Sequence, residues 1–355
     1  MIYLGLFGSQ LAALLLTDWA SRARLRLYYC LLIFLFVFAA FRFEVGCDWS
    51  GYFNQWSVAQ GLSFGDAAIG REPLWWLIMS ALQNLGAQYI VINAFAALVF
   101  FVGINHLARR QADPLTYLVL LFPVLIINMP MSAIRQGVAI GIMCFAYSAF
   151  VDRSLRRFLA LVVLATGFHS SAAVFLALAP FVTSQLSRGR IIVAGVLALP
   201  IVGALLLSSQ AELAYTRYVE GDAEALGAVF RVLLLCSTSI VFLVALRSPW
   251  KTRFPADYPL IVLTSWASLV LLALLPFSTV VADRLAYFFL PLQALIVVRS
   301  KLILTKAQGR AFLLAFFSGL MVFFGTWTLR STHFNECYIP YQSELIGDPV
   351  STKSP

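Results

Sequence analysis

An alternation constrains this chain more than any other feature. About a dozen apolar stretches follow one another, and every second junction between them is basic. The basic junctions hold Arg22, Arg24 and Arg26; Arg109 and Arg110; Arg153, Arg156 and Arg157; Arg188 and Arg190; Arg247, Lys251 and Arg253; and Arg299, Lys301, Lys306 and Arg310. Seventeen of the 25 Lys and Arg residues fall in this one set. Segments that span hydrocarbon must satisfy their own backbone, which makes them helices. Basic loops stay on the cytoplasmic side. Hydrophobic residues make up 61% of the chain and charged residues 12%, against about 25% charged in a soluble domain. The sequence therefore specifies an all-α polytopic membrane protein. Its net charge of +9 serves orientation and is no nucleic-acid signature.

The other eight basic residues are Arg42, Arg71, Arg135, Arg217, Arg231, Arg284, Arg330 and Lys353. They fall on the opposite side, where orientation gives no reason for them. The acids are skewed the same way. Only Asp18, Asp113, Asp152 and Asp257 lie on the basic side, and the other 12 of the 16 lie on the far side. A mixture of both signs on the outer side suits a polar site.

Spans are expected at roughly 2–18, 27–41, 88–107, 114–131, 134–151, 157–168, 170–185, 191–208, 228–246, 258–276, 285–299 and 310–328. That is about 12 transmembrane segments in a single domain, 1–355, with both ends outside and no cleaved signal peptide. The polar stretches 42–72, 209–226 and 329–355 are too short to bury a core of their own. Residues 42–87 form an outer loop, and 329–355 an outer C-terminal tail. Within the loop, 73–86 is apolar but short. It reads as an interfacial or re-entrant helix whose Trp75 and Trp76 suit the headgroup level. The segment 156–190 is a short hairpin with basic residues at both ends. Its two arms of about 13 residues rise about 20 Å, against about 30 Å of hydrocarbon. The tip, Gly167-Phe168-His169-Ser170-Ser171, is expected below the outer surface, lining an outward-opening cavity.

Several polar residues carry two readings. Asp48 either caps the helix bearing Tyr52, Phe53 and Trp56 or hangs with Arg42 over the cavity mouth. Glu72 precedes Pro73 and suits capping of the helix that Pro73 starts. Arg135 either snorkels to headgroups or clamps an anion with its fork of donors. Asp283 and Arg284 open another span. Neighbours on a helix do not face each other, so Arg284 is free to turn inward. His169 is a core histidine or, as an ionisable group at membrane depth, a functional one.

Walker, GxGxxG, His-x-x-x-His, CxxC and Asp-x-Asp patterns are absent. The sequence thus offers no ATP site, no dedicated metal site and no metal-dependent nucleotide-sugar site. No cofactor is expected.

Taken in order, Arg42…Gly46-Cys47-Asp48…Tyr52, Glu72-Pro73-Leu74, Arg135-Gln136-Gly137-Val138-Ala139, Phe168-His169-Ser170-Ser171-Ala172, Asp283-Arg284…Tyr287 and Tyr338-Ile339-Pro340-Tyr341 resemble the EpsG family of Wzy-like polysaccharide polymerases. The resemblance runs from Met1 to about Gln342. A small polar residue is more usual where Cys47 stands. The resemblance implies a GT-C-like membrane glycosyltransferase in the bacterial inner membrane, with its active site on the periplasmic face. Donor and acceptor would both be undecaprenyl-pyrophosphate-linked glycan units, and undecaprenyl pyrophosphate would leave. Membrane lipid, a chain-length regulator and a flippase would be partners, and nucleic acid would not.

The residues suit that chemistry. Arg135 and Arg284 would stabilise the leaving pyrophosphate. Asp48 or His169 would take the acceptor proton. Arg42, Tyr52, Glu72, Gln136, Ser170, Asp283 and Tyr341 would hold substrate, with Trp49, Tyr52, Trp56, Trp75 and Tyr341 as platforms for sugars. The alternatives are a lipid-linked glycan ligase and a flippase or transporter. No inverted repeat of the transporter kind is visible.

Of the five cysteines, Cys30, Cys144 and Cys236 lie in apolar spans. Cys47 and Cys337 fall in outer polar segments, where disulfides persist. A bond between them would staple a tail that otherwise has little reason to be ordered. Two free thiols, with the tail held by Tyr338, Pro340 and Tyr341, are the alternative.

Overall fold

The computed structural model describes residues 2–17, 22–69, 72–184, 186–207 and 222–346, with backbone only for 222–226. Residues 209–221 of the polar stretch predicted at 209–226 lie outside the described residues, as do Asp18, Arg71, Arg217 and Lys353. Among the described residues, every apolar stretch expected to be a span is largely helical. Among the described residues, seven helices are long and apolar enough to cross a membrane. They are Arg22–Ala40, Ile90–Ala108, Ile134–Val151, Arg188–Leu207, Gly227–Arg253, Thr279–Ile303 and Lys306–Arg330. Ile2–Leu16, Pro114–Ile126, Ser170–Val182 and Tyr258–Leu274 are shorter and apolar. The chain is a multi-pass all-α membrane protein. It falls into two compact units: Met1–Ile142 with Ala165–Ser170 and Gly319–Pro355, and Met143–Leu164 with Ser171–Ser318.

In the first unit, helix Ile90–Ala108 packs backbone to backbone on the start of Ile134–Val151. A Cβ on Gly103 would lie 2.1 Å from the Gly141 carbonyl oxygen, and one on Gly141 would lie 2.5 Å from that of Val99. Two glycines thus permit an approach that lipid-embedded helices use for van der Waals attraction. Asp113 caps helix Pro114–Leu121 by accepting from the Thr116 amide. A single wide turn, Phe122–Ile126, follows around Pro123, whose ring and missing N–H do not fit a regular α ladder. Asp113 also takes both prongs of Arg24, at 3.0 and 2.9 Å. Arg24 was expected to serve orientation alone; it is also a buried ion-pair partner.

The C-terminal tail is ordered as far as Ile346, the last described residue, as both readings of a held tail expected. Helix Thr332–Tyr338 is capped by Ser331. Strand β2 (Gln342–Ser343) then pairs antiparallel with β1 (Arg42–Phe43). Tyr341 stacks on Phe38 at 4.1 Å and donates to its carbonyl. Tyr3 donates to the Tyr338 carbonyl. Cys47 and Cys337 are joined by a disulfide, with their Cα atoms 4.6 Å apart, as the sequence suggested.

In the second unit, helix Asp222–Val241 packs on Tyr258–Leu274 and Thr279–Ile303. Polar side chains tie the three together. The Cys236 thiol donates to the Ser268 carbonyl, and Gln293 donates to Thr238 Oγ1 at 2.6 Å. Tyr147 donates to the Phe288 carbonyl. Asp257 is held by Arg299 and by the Trp250 indole N–H, and the Arg299 guanidinium lies 4.7 Å over Phe254. Arg299, like Arg24, does more than orient the chain.

Candidate functional site

Glu72 organises the polar centre of the first unit. It precedes Pro73, the first residue of helix Pro73–Asn84, as the sequence suggested. Its backbone is left-handed, with φ 60° and ψ 58°, a conformation that costs a side chain with a Cβ roughly 1–2 kcal/mol. The expected side-chain cap of its own helix is not made. The left-handed turn sends the carboxylate elsewhere. Oε2 pairs with Arg135 Nη1 at 2.6 Å, and Oε1 accepts from the Ser170 amide at 3.0 Å and from its hydroxyl at 3.4 Å. Glu72 therefore caps the segment Ser170–Leu178 in trans and fixes Arg135 with its other oxygen. That segment is a 3-10 helix, so the second hairpin arm is not the α-helix expected.

Arg135 lies in the first turn of Ile134–Val151. Its Nε approaches the Tyr52 hydroxyl at 3.5 Å, and its guanidinium lies 5.5 Å from the Tyr52 ring centroid. The side chain is 22% exposed, enough for an anion to reach it. Burial pushes the Tyr52 phenol up, the Arg135 charge opposes this, and Asp48 and Glu72 add to the rise. Tyr52 is thus a neutral hydroxyl at physiological pH. Asp48 stands at the N-cap of helix Trp49–Ala59 but makes no side-chain cap. The residue is exposed, and its amide donates to Ser132 Oγ at 3.3 Å. His169 follows helix Leu155–Phe168 and is 8% exposed. The two candidate bases therefore differ: one is open, the other enclosed beside Ser170. Gln136 is buried at 3%, inside the unit.

Arg42 is corrected from the cavity mouth to the interior. It is 1% exposed. Nε donates to the Val45 and Met131 carbonyls, Nη1 to that of Ala39, and Nη2 to Asn93 Oδ1 at 3.3 Å. It binds the loop after Ala40 to the loop before Ile134. Gly46 completes that junction with φ 105°; a Cβ there would lie 1.9 Å from the Met131 carbonyl oxygen. The aromatic platforms are corrected too. Trp75 is fully buried and donates to Gln55 Oε1, so it meets protein and not headgroups. Trp49, Tyr52 and Trp56 are buried, and Phe38 covers one face of Tyr341.

The second unit has its own charged centre. Asp283 lies in the second turn of Thr279–Ile303, whose start is capped by Ser278. Its partner is Arg231, at 2.5 Å, and not its neighbour Arg284. The Arg231 guanidinium also lies 4.9 Å over the Tyr287 ring. Arg284 is half-buried. Arg231 was missed as a site residue, although it stood among the eight basic residues that orientation leaves unexplained.

The fold also gathers three residues whose spacing suggested no site. Cys47, His333 and Cys337 place one ligand atom each within 4.8 Å of the others.

No curated protein and no solved structure matches the chain. The EpsG family model matches residues 25–343, which take in both charged centres. The chain belongs to the EpsG family, that of Wzy-like polysaccharide polymerases.

Proposed function

We propose that this protein is a glycosyltransferase of the Wzy type. It joins undecaprenyl-pyrophosphate-linked glycan units on the periplasmic face of the inner membrane and releases undecaprenyl pyrophosphate. One observation carries the reading: a partly exposed arginine, Arg135, is fixed by a buried carboxylate that also caps the Ser170 segment. A preorganised guanidinium stabilises charge as it develops and needs no reorganisation at the moment of reaction. A diphosphate leaving group is the charge it suits, and such a donor is already activated, so neither nucleotide nor metal is required by the scheme.

The acceptor hydroxyl must lose a proton as the glycosidic bond forms. We assign this to Asp48, which is exposed and acts electrostatically on both Tyr52 and Arg135. His169 and Ser170 hold the enclosed side of the same centre. Glu72 is a positioning residue, and Arg42 and Gln136 support the loops beneath it. Arg284 and Asp283 are assigned to anion and substrate binding within the second unit, where Asp283 pairs with Arg231. The test is reconstitution of the purified chain in liposomes with lipid-linked repeat units. A ladder of longer glycans is expected. Transfer of a finished glycan to a different acceptor would make it a ligase, and translocation without bond formation would make it a flippase.

A further inference from the structure

The tail and the Asp48 loop meet at a cluster that the polymerase reading does not use. His333 and Cys337 are four apart on helix Thr332–Tyr338 and so share one face. Cys47 approaches that face from the loop. His333 Nε2 lies 2.9 Å from Cys47 Sγ and 3.9 Å from Cys337 Sγ. All three residues are half-buried, within reach of an ion and shielded from bulk water. The approach of Cys47 does not depend on the sulfur–sulfur bond. The Gly46 amide donates to the Cys337 carbonyl at 2.8 Å, Gly46 is seated on Met131, and β1 pairs with β2.

We propose that Cys47, Cys337 and His333 form a staple with two chemical states: a disulfide when oxidised and, once reduced, a site for zinc or cuprous ion. Two thiolates and an imidazole are the ligands such soft cations select. Metal–sulfur bonds of about 2.3 Å and a metal–nitrogen bond of about 2.0 Å set the donors roughly 3.5 Å apart. Separating the two sulfurs by that much is a side-chain rotation, since every donor already lies within 4.8 Å of the others. The reductant is a dithiol. Its thiolate attacks one sulfur, the other departs and takes a proton, and the dithiol closes to its own disulfide. Both cysteines end as thiols, and binding the ion then displaces their two protons. Either state holds the tail against the loop that carries Asp48.

The test uses the full chain in detergent, reduced with a phosphine and desalted without air. Titration with Co2+ should give one equivalent bound, with a thiolate-to-cobalt band in the near ultraviolet, and Zn2+ should displace it. Cys47→Ser and Cys337→Ser should lose the band. His333→Ala should weaken binding at least about tenfold, the scale on which loss of even an outer partner is felt. The unreduced chain should bind none. A second measurement needs no variant. Zn2+ should protect Cys47 and Cys337 of the reduced wild type from a membrane-permeant maleimide, while the exposed Cys30 reacts at the same rate with or without it. Equal labelling of all three cysteines with and without zinc overturns the site, as does cobalt binding that survives both serine variants.

Discussion

At the residue scale, the centre around Glu72 shows how one carboxylate does two jobs. Arg135→Ala should lower polymerisation by 10^2- to 10^3-fold, on the order of 3–4 kcal/mol, with the protein level unchanged. Arg135→Lys should stay poor, because a point charge does not reproduce the planar fork. Glu72→Gly removes the whole side chain, carboxylate included, and relieves the left-handed backbone; Glu72→Ala removes the carboxylate and keeps the strain. Both should lose activity, with the Gly variant the more heat-stable of the two. Wild-type turnover in Glu72→Gly would show that the bridge positions nothing. Asp113 gives a pH prediction. Burial pushes its carboxyl up, but hydrogen bonds from Arg24 and Thr116 and the Arg24 charge outweigh this and hold it low. Its folded pKa thus lies below the unfolded value of about 3.9. The pair's contribution is complete above that value and is lost as pH falls through the folded one. Asp113→Asn should therefore destabilise the chain at pH 7, by about 3 kcal/mol where a buried charge is left unpaired, and by less at pH 3. Thermal melts at the two pH values check the sign.

At the scale of elements, close packing in the first unit rests on two glycines that face one another. Gly141→Ala would press a methyl onto the Val99 carbonyl. Overpacking of this kind costs about 1–3 kcal/mol and should lower the melting midpoint in detergent. Gly5→Ala is the control: nothing lies within 4 Å of a Cβ there, and alanine is the better helix former, so its midpoint should hold or rise. A drop of equal size in both variants would mean that the contact at Val99 is not what sets the midpoint. These elements also mark what the sequence made legible. Apolar stretches located all seven helices that, among the described residues, are long and apolar enough to cross a membrane, because burial in lipid is written in composition. Pro73 announced its helix start. The bridge from Glu72 to Arg135 and Ser170 was not legible, since it depends on a left-handed φ at a glutamate and on partners 63 and 98 residues away. Arg42 was misplaced for the same reason. An arginine in a polar loop looks solvated until four acceptors, two of them from distant segments, close on it. The tryptophans were read from their side of the membrane, and their burial depends on tertiary packing that no local pattern records.

At the scale of the whole molecule, the orientation rests on the seventeen basic residues of one loop set. Two of them are now accounted for in another way. Arg24 pairs with Asp113 and Arg299 with Asp257, two of the four acids predicted on that side. Neutralised pairs add little to a positive-inside bias, so the bias must survive without them. Fifteen basic residues remain in those loops, against eight on the other side, and the two sides still differ in the same direction. Single cysteines at Ser248, Lys306 and Ser63 in a Cys30→Ser background put this to measurement. All three native positions are exposed. An impermeant maleimide added to intact cells should label Ser63→Cys and leave Ser248→Cys and Lys306→Cys untouched until the membrane is opened. Labelling of Lys306→Cys in intact cells would invert the chain. It would move Arg135, Glu72 and Asp48 to the cytoplasmic side, where a lipid-linked glycan already flipped outward does not reach them, and the polymerase mechanism would have to be abandoned along with the topology.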